Sequence, residues 1–108
     1  MKTKAAVLWE LNAPWTIEEI ELDAPGPNEV LVKLAASGMC HSDEHLVTGD
    51  LPFELPIIGG HEGAGVVQQV GSNVSWLAPG DHVVFGFIPS CGRCVSCSTG
   101  HQNLCDLG

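Results

Sequence analysis

The sequence predicts a mainly β fold: a small β-barrel with a loop-rich lobe that contains four cysteines. Thirteen glycines and seven prolines are spread through the 108 residues, with short apolar stretches between them. This pattern is typical of short strands joined by turns. Four of the five cysteines lie within residues 91–105, which defines the lobe. No segment predicts a helix of ordinary length, so a Rossmann domain, which alternates strands and helices, is not expected in this chain.

The whole chain, 1–108, is predicted to form one domain, with the lobe at 88–108. Apolar side chains alternate or cluster between turn residues, which predicts strands over 3–9, 15–22, 29–37, 61–71 and 82–87. Turns are expected at 23–29 and 72–81, and an irregular segment at 51–60, which contains two prolines. A short helical turn is expected over 43–47, with Ser42 as its N-cap and Gly49 at its end.

The charge balance is strongly acidic. The formal net charge is −9, and the four basic residues are scattered, which argues against a nucleic-acid partner because phosphate binding needs clustered Lys and Arg. Neither a secretory signal nor an apolar stretch long enough to span a membrane is visible. We therefore expect a cytoplasmic protein without a membrane partner. In that compartment cysteines act as metal ligands or catalytic groups more often than as disulfides.

The lobe has the spacing C-x2-C-x2-C-x7-C, formed by Cys91, Cys94, Cys97 and Cys105. Four thiolates can surround one zinc ion as a tetrahedron and leave no open position, so this pattern indicates a structural zinc. Two disulfides, or four free thiols, are the less specific alternatives. An iron–sulfur cluster is a third, but the bacterial ferredoxin pattern ends in C-x3-C-P, whereas here the last gap is seven residues and Asp106 follows.

A second group of metal-ligand types lies earlier in the chain. Cys40 occurs in residues 38–45 (GMCHSDEH), and His61 and Glu62 occur in residues 59–62 (GGHE). A catalytic zinc site with two cysteines and one histidine keeps its fourth position open for water or substrate. Taken alone, one cysteine and one histidine so far apart are weak evidence for such a site.

Together, four motifs in order make the chain resemble the zinc-dependent medium-chain alcohol dehydrogenases. They are GMCHSDEH, GGHEGAGVV, PGDHV and the four-cysteine pattern, and they span nearly the whole chain. The segments CHSDEHLVTGD and GHQNLCDLG are most similar to the nicotinoprotein, nitrosoaniline-dependent branch. The resemblance implies a GroES-like catalytic domain, incomplete within these residues. It also implies zinc and NAD as cofactors, and a homo-oligomer.

The resemblance further implies roles for individual side chains. Cys40 and His61 would bind the catalytic zinc together with a cysteine beyond this chain, while Glu62 would lie in the second sphere. Asp43 would accept a hydrogen bond from His61. The remaining roles concern proton transfer, cofactor and substrate: Ser42 would accept the alcohol proton, His45 would pass it on, His41 would lie near the cofactor pyrophosphate, and Phe87 would line the substrate pocket.

Each of these polar residues also has a simpler interpretation. Ser42 could serve only as a helix cap, His45 could be a solvated surface residue, and Asp43 could only favour the start of the helical turn. For the chain as a whole, two functions stay open. One is the N-terminal portion of an enzyme that oxidises small-molecule alcohols to aldehydes, inactive as 108 residues alone. The other is a non-enzymatic zinc-binding module.

Overall fold

The computed structural model describes all residues, 1–108. Its strands are β1 (Lys2–Leu8), β2 (Thr16–Glu21), β3 (Val30–Ser37), β4 (Ile57–Ile58), β5 (Gly63–Val70) and β6 (His82–Val84). Its helices are α1 (His41–Thr48) and the single turn α2 (Val95–Ser98), and a 3-10 turn covers Gln102–Leu104. No helix has both the length and the apolar composition needed to cross a membrane.

The strands form two three-stranded sheets, in the orders β2-β1-β4 and β3-β5-β6. Every strand pair is antiparallel, and no parallel strand–helix–strand unit occurs. The prediction of a mainly β chain without a Rossmann domain is confirmed. The segment 51–60, expected to be irregular, contributes the two-residue strand β4, while the strand expected over 82–87 already ends at Val84.

The apolar core is small. Only nine residues are buried, and Leu8 and Val67 are the large side chains most completely removed from solvent. Within the lobe the buried residues are Cys97 and Cys105, while Val95 is 78% exposed. Burial of apolar area is the main favourable term in folding. The lobe therefore has too little apolar burial to be ordered by packing alone.

Helix α1 is longer than the expected turn and begins earlier. Cys40, with φ −108° and ψ 152°, is the N-cap, so the prediction that Ser42 caps the helix was wrong. Asp43, three residues further on, accepts a hydrogen bond on Oδ2 from the backbone N–H of Cys40 at 3.1 Å, as the third residue of a capping box does. The helix ends as expected at Gly49, whose φ of +82° favours glycine.

Candidate metal centres

The pairing of β3 with β5 brings the first group of ligand types together. The register ends with Ser37 opposite Gly63, so Cys40 follows the end of one strand and His61 precedes the start of the other. Beyond the ladder, the carbonyl of Glu62 accepts hydrogen bonds from the backbone N–H of Gly38 at 2.9 Å and from the Ser37 hydroxyl at 3.1 Å. The two segments are thus fastened to each other beside the site.

One ligand atom each from Cys40, His61 and Glu62 lies within 4.8 Å of the other two. The Ser42 hydroxyl donates to Cys40 Sγ at 3.1 Å and lies 3.2 Å from His61 Nε2. It therefore contacts the two side chains that sequence reasoning assigned as zinc ligands. The predicted cluster is brought together in space, although its residues are spread over 23 positions of the chain, from 40 to 62.

Asp43 lies behind His61. Its Oδ1 atom is buried without a hydrogen-bond partner and lies 3.5 Å from His61 Nδ1. An ionised carboxylate can only accept hydrogen bonds, so a proton on Nδ1 of His61 would give this oxygen a partner and leave the lone pair of Nε2 for a metal. Histidines that bind metals usually donate their other ring N–H to an outer partner, which is a carboxylate, a backbone carbonyl or water. The donor set and the orphaned oxygen fit a metal ion bound through Nε2.

The thiol of Cys40 is poised to ionise. The Ser42 hydroxyl, the Ser42 backbone N–H and the His61 ring lower the pKa of Cys40, in that order of importance, while burial and the Glu62 carboxylate oppose them. The thiolate is the form of cysteine that binds metals. The surroundings of Cys40 thus favour the ligand form.

Gly38 makes room for Glu62. A Cβ atom at position 38 would overlap Oε2 of Glu62 and would lie 3.2 Å from its Cβ. Only glycine therefore lets the Glu62 side chain lie where its oxygen reaches the Cys40–His61 group. The sequence motif showed this glycine, but its steric role is visible only in the structure.

The other predicted site residues surround this cluster. The Phe87 ring lies against the His61 ring, with centroids 4.6 Å apart and an interplanar angle of 48°. His41 and Cys40 line an open cleft of about 810 Å³, which Trp15 and Ile17 also line. His45 contacts His41 edge-on at 4.9 Å. The structure thus places His41 and Phe87 beside the cluster, and His45 one turn further along α1.

The four cysteines of the lobe form the second cluster. Their sulfurs all lie within 4.8 Å of one another, and Sγ of Cys91 is 4.0 Å from Sγ of Cys97. A tetrahedral zinc with bonds of about 2.3 Å holds its sulfurs about 3.8 Å apart, so a single ion fits. A disulfide needs sulfurs about 2.05 Å apart, and no cysteine is paired. An iron–sulfur cluster would need room for its own iron and sulfide ions between the thiolates.

Backbone donors favour thiolates in this cluster. The N–H groups of Cys91, Cys94 and Cys97 each point at the sulfur of another cysteine, at 3.3–3.4 Å. Hydrogen bonds from the backbone of Arg93, then of Cys94, lower the pKa of Cys91 to about 6. The pKa of Cys94 is lowered by the backbone of Asp106 and then of Cys97. Without a metal, thiolates this close together repel one another, and a bound cation relieves that repulsion.

The pKa of Cys97 is raised, whereas the pKa values of Cys91 and Cys94 are lowered. A backbone hydrogen bond from Gly92 favours its thiolate, but burial and the neighbouring thiols Cys94 and Cys105 together raise the pKa of Cys97. It is also one of the two buried residues of the lobe, with 6% of its surface exposed. A divalent cation would compensate this buried thiolate directly.

Fold and clusters together define a small antiparallel β domain with one closed four-cysteine centre and one open Cys–His centre of the metal-binding type. The family model for the alcohol dehydrogenase GroES-like domain matches residues 26–108. The chain belongs to this family.

Known relatives agree with that assignment. Alcohol dehydrogenase B of Mycobacterium tuberculosis is 60% identical over 109 residues, and NDMA-dependent alcohol dehydrogenase of Amycolatopsis methanolica is 58% identical over 108 residues. Each match covers 100% of this chain and 29% of the relative. A solved alcohol dehydrogenase zinc-binding domain protein from Burkholderia ambifaria superposes with a TM-score of 0.93 at 45% identity, covering 98% of this chain and 28% of its own. The chain thus spans less than a third of the length of these relatives.

Sequence reasoning missed one residue beside the site. Asp50 accepts hydrogen bonds from the His45 ring and the Thr48 hydroxyl, yet it was assigned no role. The available signal was its position directly after Gly49, because a left-handed glycine turns the chain back onto the end of the helix.

Proposed function

We propose that this chain forms the N-terminal part of the catalytic domain of a zinc-dependent alcohol dehydrogenase that oxidises small alcohols to aldehydes with a nicotinamide cofactor, NAD. The observation that carries the proposal is the convergence of Cys40, His61 and Glu62, with the orphaned Asp43 oxygen behind His61. The names of the relatives support the reaction class. We also propose a cytoplasmic location, because all five thiols are unpaired.

In this proposal the two clusters hold zinc for different purposes. Cys40 and His61 bind the catalytic ion, and Glu62 lies close enough to approach it. The four lobe cysteines bind the structural ion. When bound, zinc supplies the Lewis acidity that makes an alcohol hydroxyl acidic near neutral pH, and the nicotinamide supplies the hydride acceptor.

The protein's own side chains position the alcohol and move its proton. The Ser42 hydroxyl contacts both Cys40 Sγ and His61 Nε2, so an alcohol beside these two ligands meets Oγ of Ser42, which accepts the alcohol proton as it releases its own hydroxyl proton to the next acceptor. His45 lies three residues further along α1, on the same side of the helix. Its imidazole can act as an acid–base group that carries the proton towards solvent.

The walls of the site fit an organic ligand. Phe87 places an aromatic ring against His61, with the ring centroids 4.6 Å apart. The cleft beside Cys40 has a volume of about 810 Å³ and apolar walls at Trp15 and Ile17, within the range of small-molecule and cofactor sites. His41 lines this cleft and is the side chain that would approach a cofactor phosphate.

A second candidate function is a non-enzymatic zinc-binding module. It is favoured by the lobe, whose four ligands all lie within 15 consecutive residues, from Cys91 to Cys105, whereas the Cys40 cluster offers only three. The two functions differ in whether the Cys40 cluster binds a metal and supports turnover.

Cobalt substitution, combined with activity, tests the proposal. Cobalt bound by thiolates absorbs strongly, so the chain can be titrated as the unmodified protein, as Cys40→Ser and as Cys91→Ser. Alcohol oxidation is measured in parallel for the enzyme that contains this chain. Loss of one cobalt and of activity in Cys40→Ser, with the lobe still loaded, supports the dehydrogenase. Full activity of the Cys40→Ser enzyme would overturn it and favour the module.

A further inference from the structure

The end of helix α1 forms a specific arrangement around His45. Gly49 adopts φ +82°, and the backbone N–H of Leu51 donates to the carbonyl of His45 at 3.1 Å. This turn reverses the chain and sets Asp50 against the last turn of the helix. This turn therefore determines where the backbone of Asp50 lies.

The Asp50 carboxylate receives two hydrogen bonds at one oxygen. Oδ2 accepts from the Thr48 hydroxyl at 2.7 Å and lies 3.2 Å from Nδ1 of His45. The Thr48 hydroxyl and, after it, the His45 ring hold the pKa of Asp50 below its ordinary value, so the carboxylate is ionised at neutral pH. Since it can only accept, Nδ1 of His45 must be the donor.

We propose that Asp50 is the positioning residue for the proton acceptor of this site, fixing His45 with its proton on Nδ1 and its lone pair on Nε2. The inference rests on the proposed function, in which His45 carries the alcohol proton. Nε2 takes up that proton and the ring becomes an imidazolium, whose charge Asp50 stabilises. Loss of the same proton from Nε2 to solvent restores the starting state.

The contact between Asp50 and His45 is expected to orient the His45 ring rather than to stabilise the fold. The titratable groups against the ring are Asp50 and His41, the latter at a centroid distance of 4.9 Å. The His45 and Asp50 side chains are 42% and 68% exposed, and exposed ion pairs contribute little to stability. A loss of function in an Asp50 variant would therefore come from the imidazole and not from unfolding.

The ring tautomer of His45 tests the contact directly. In the zinc-loaded chain, above the titration range of histidine, long-range ¹H–¹⁵N spectra distinguish Nδ1–H from Nε2–H, and a His45→Gln variant assigns the signals. We expect Nδ1–H in the unmodified chain and predominantly Nε2–H in Asp50→Ala. Asp23→Ala, which removes one exposed carboxylate elsewhere, should leave the tautomer unchanged. The same tautomer in Asp50→Ala and the unmodified chain would overturn the inference.

Turnover then separates the inference from the function on which it rests. In the enzyme that contains this chain, Asp50→Ala should lower kcat about 10-fold at pH 7, a fraction of what a positioned acid–base group contributes. We expect KM to change less than twofold. The difference in kcat between Asp50→Ala and the unmodified enzyme should become smaller at high pH, where hydroxide can accept the alcohol proton in place of His45. If His45→Gln leaves kcat unchanged, the relay role fails even if the tautomer shifts. If His45→Gln lowers kcat and Asp50→Ala does not, only the role of Asp50 fails.

Discussion

Replacing Cys105 by serine should release the lobe while leaving the two sheets folded. Cys105 is 4% exposed, and its sulfur accepts the backbone N–H of Cys91 at 3.4 Å, so it closes the metal site over the first three cysteines. A structural zinc site contributes about 10–16 kcal/mol. One ligand of four therefore represents about 3 kcal/mol, which corresponds to about 100-fold weaker zinc binding.

The consequence for folding follows from the small core of the lobe. Besides Cys105, only Cys97 is buried between positions 88 and 108, while Val95, Leu104 and Leu107 are exposed. Without tight zinc binding, little offsets the entropy of ordering these residues. We expect amide protection to disappear within 90–105 and to persist in β1, β3 and β5.

Two measurements check this prediction. Competition with a chromophoric chelator gives the zinc affinity, and hydrogen exchange read by mass spectrometry gives protection along the chain. Cys40→Ser is the matched control, because it makes the same chemical change in the other cluster and should leave the lobe protected. Unchanged zinc affinity and unchanged protection of the lobe in Cys105→Ser would show that the four thiols do not share one ion.

Three further outcomes are expected. Asp43→Ala should weaken metal binding by Cys40 and His61 about 10–100-fold, because the imidazole loses its outer carboxylate; cobalt titration measures this, and an unchanged affinity would contradict it. Gly38→Ala should displace the Glu62 carboxylate and destabilise the chain by about 1–3 kcal/mol through overpacking; a chemical denaturation midpoint equal to that of the unmodified chain would refute the steric argument. Zinc binding by the lobe should weaken as pH is lowered towards and below about 6, the pKa of Cys91, because protons then compete with the metal for its thiolate; chelator competition on either side of that pH checks the sign, and a zinc affinity that stays constant or rises as pH falls would contradict it.

Much of the fold could be predicted from local pattern. The alternation of apolar residues before position 38 predicted a strand over 29–37, and β3 covers Val30–Ser37. By contrast, β4 consists of two residues paired with Val7 and Leu8 about 50 positions away. Such a short strand is defined by its partner and leaves no periodic signal.

The candidate site could be predicted in composition but not in geometry. Residue types and motif order identified Cys40 and His61, and the structure brings them together. The helix start was misjudged because serine is a common N-cap, whereas here Asp43 bonds back to Cys40 and the Ser42 hydroxyl contacts two ligand-type side chains. The partnership of Asp50 with His45 depends on a left-handed turn, and residue spacing alone did not indicate it.

The end of the β3–β5 ladder also determines where the length of the chain can change without moving the metal ligands. Cys40 and His61 are both anchored within three residues of the pair formed by Ser37 and Gly63. The ligand-to-ligand distance is therefore independent of the length of the loop over 51–56 between them. Insertions or deletions in that loop can therefore be accommodated while Cys40 and His61 stay in place at the end of the ladder.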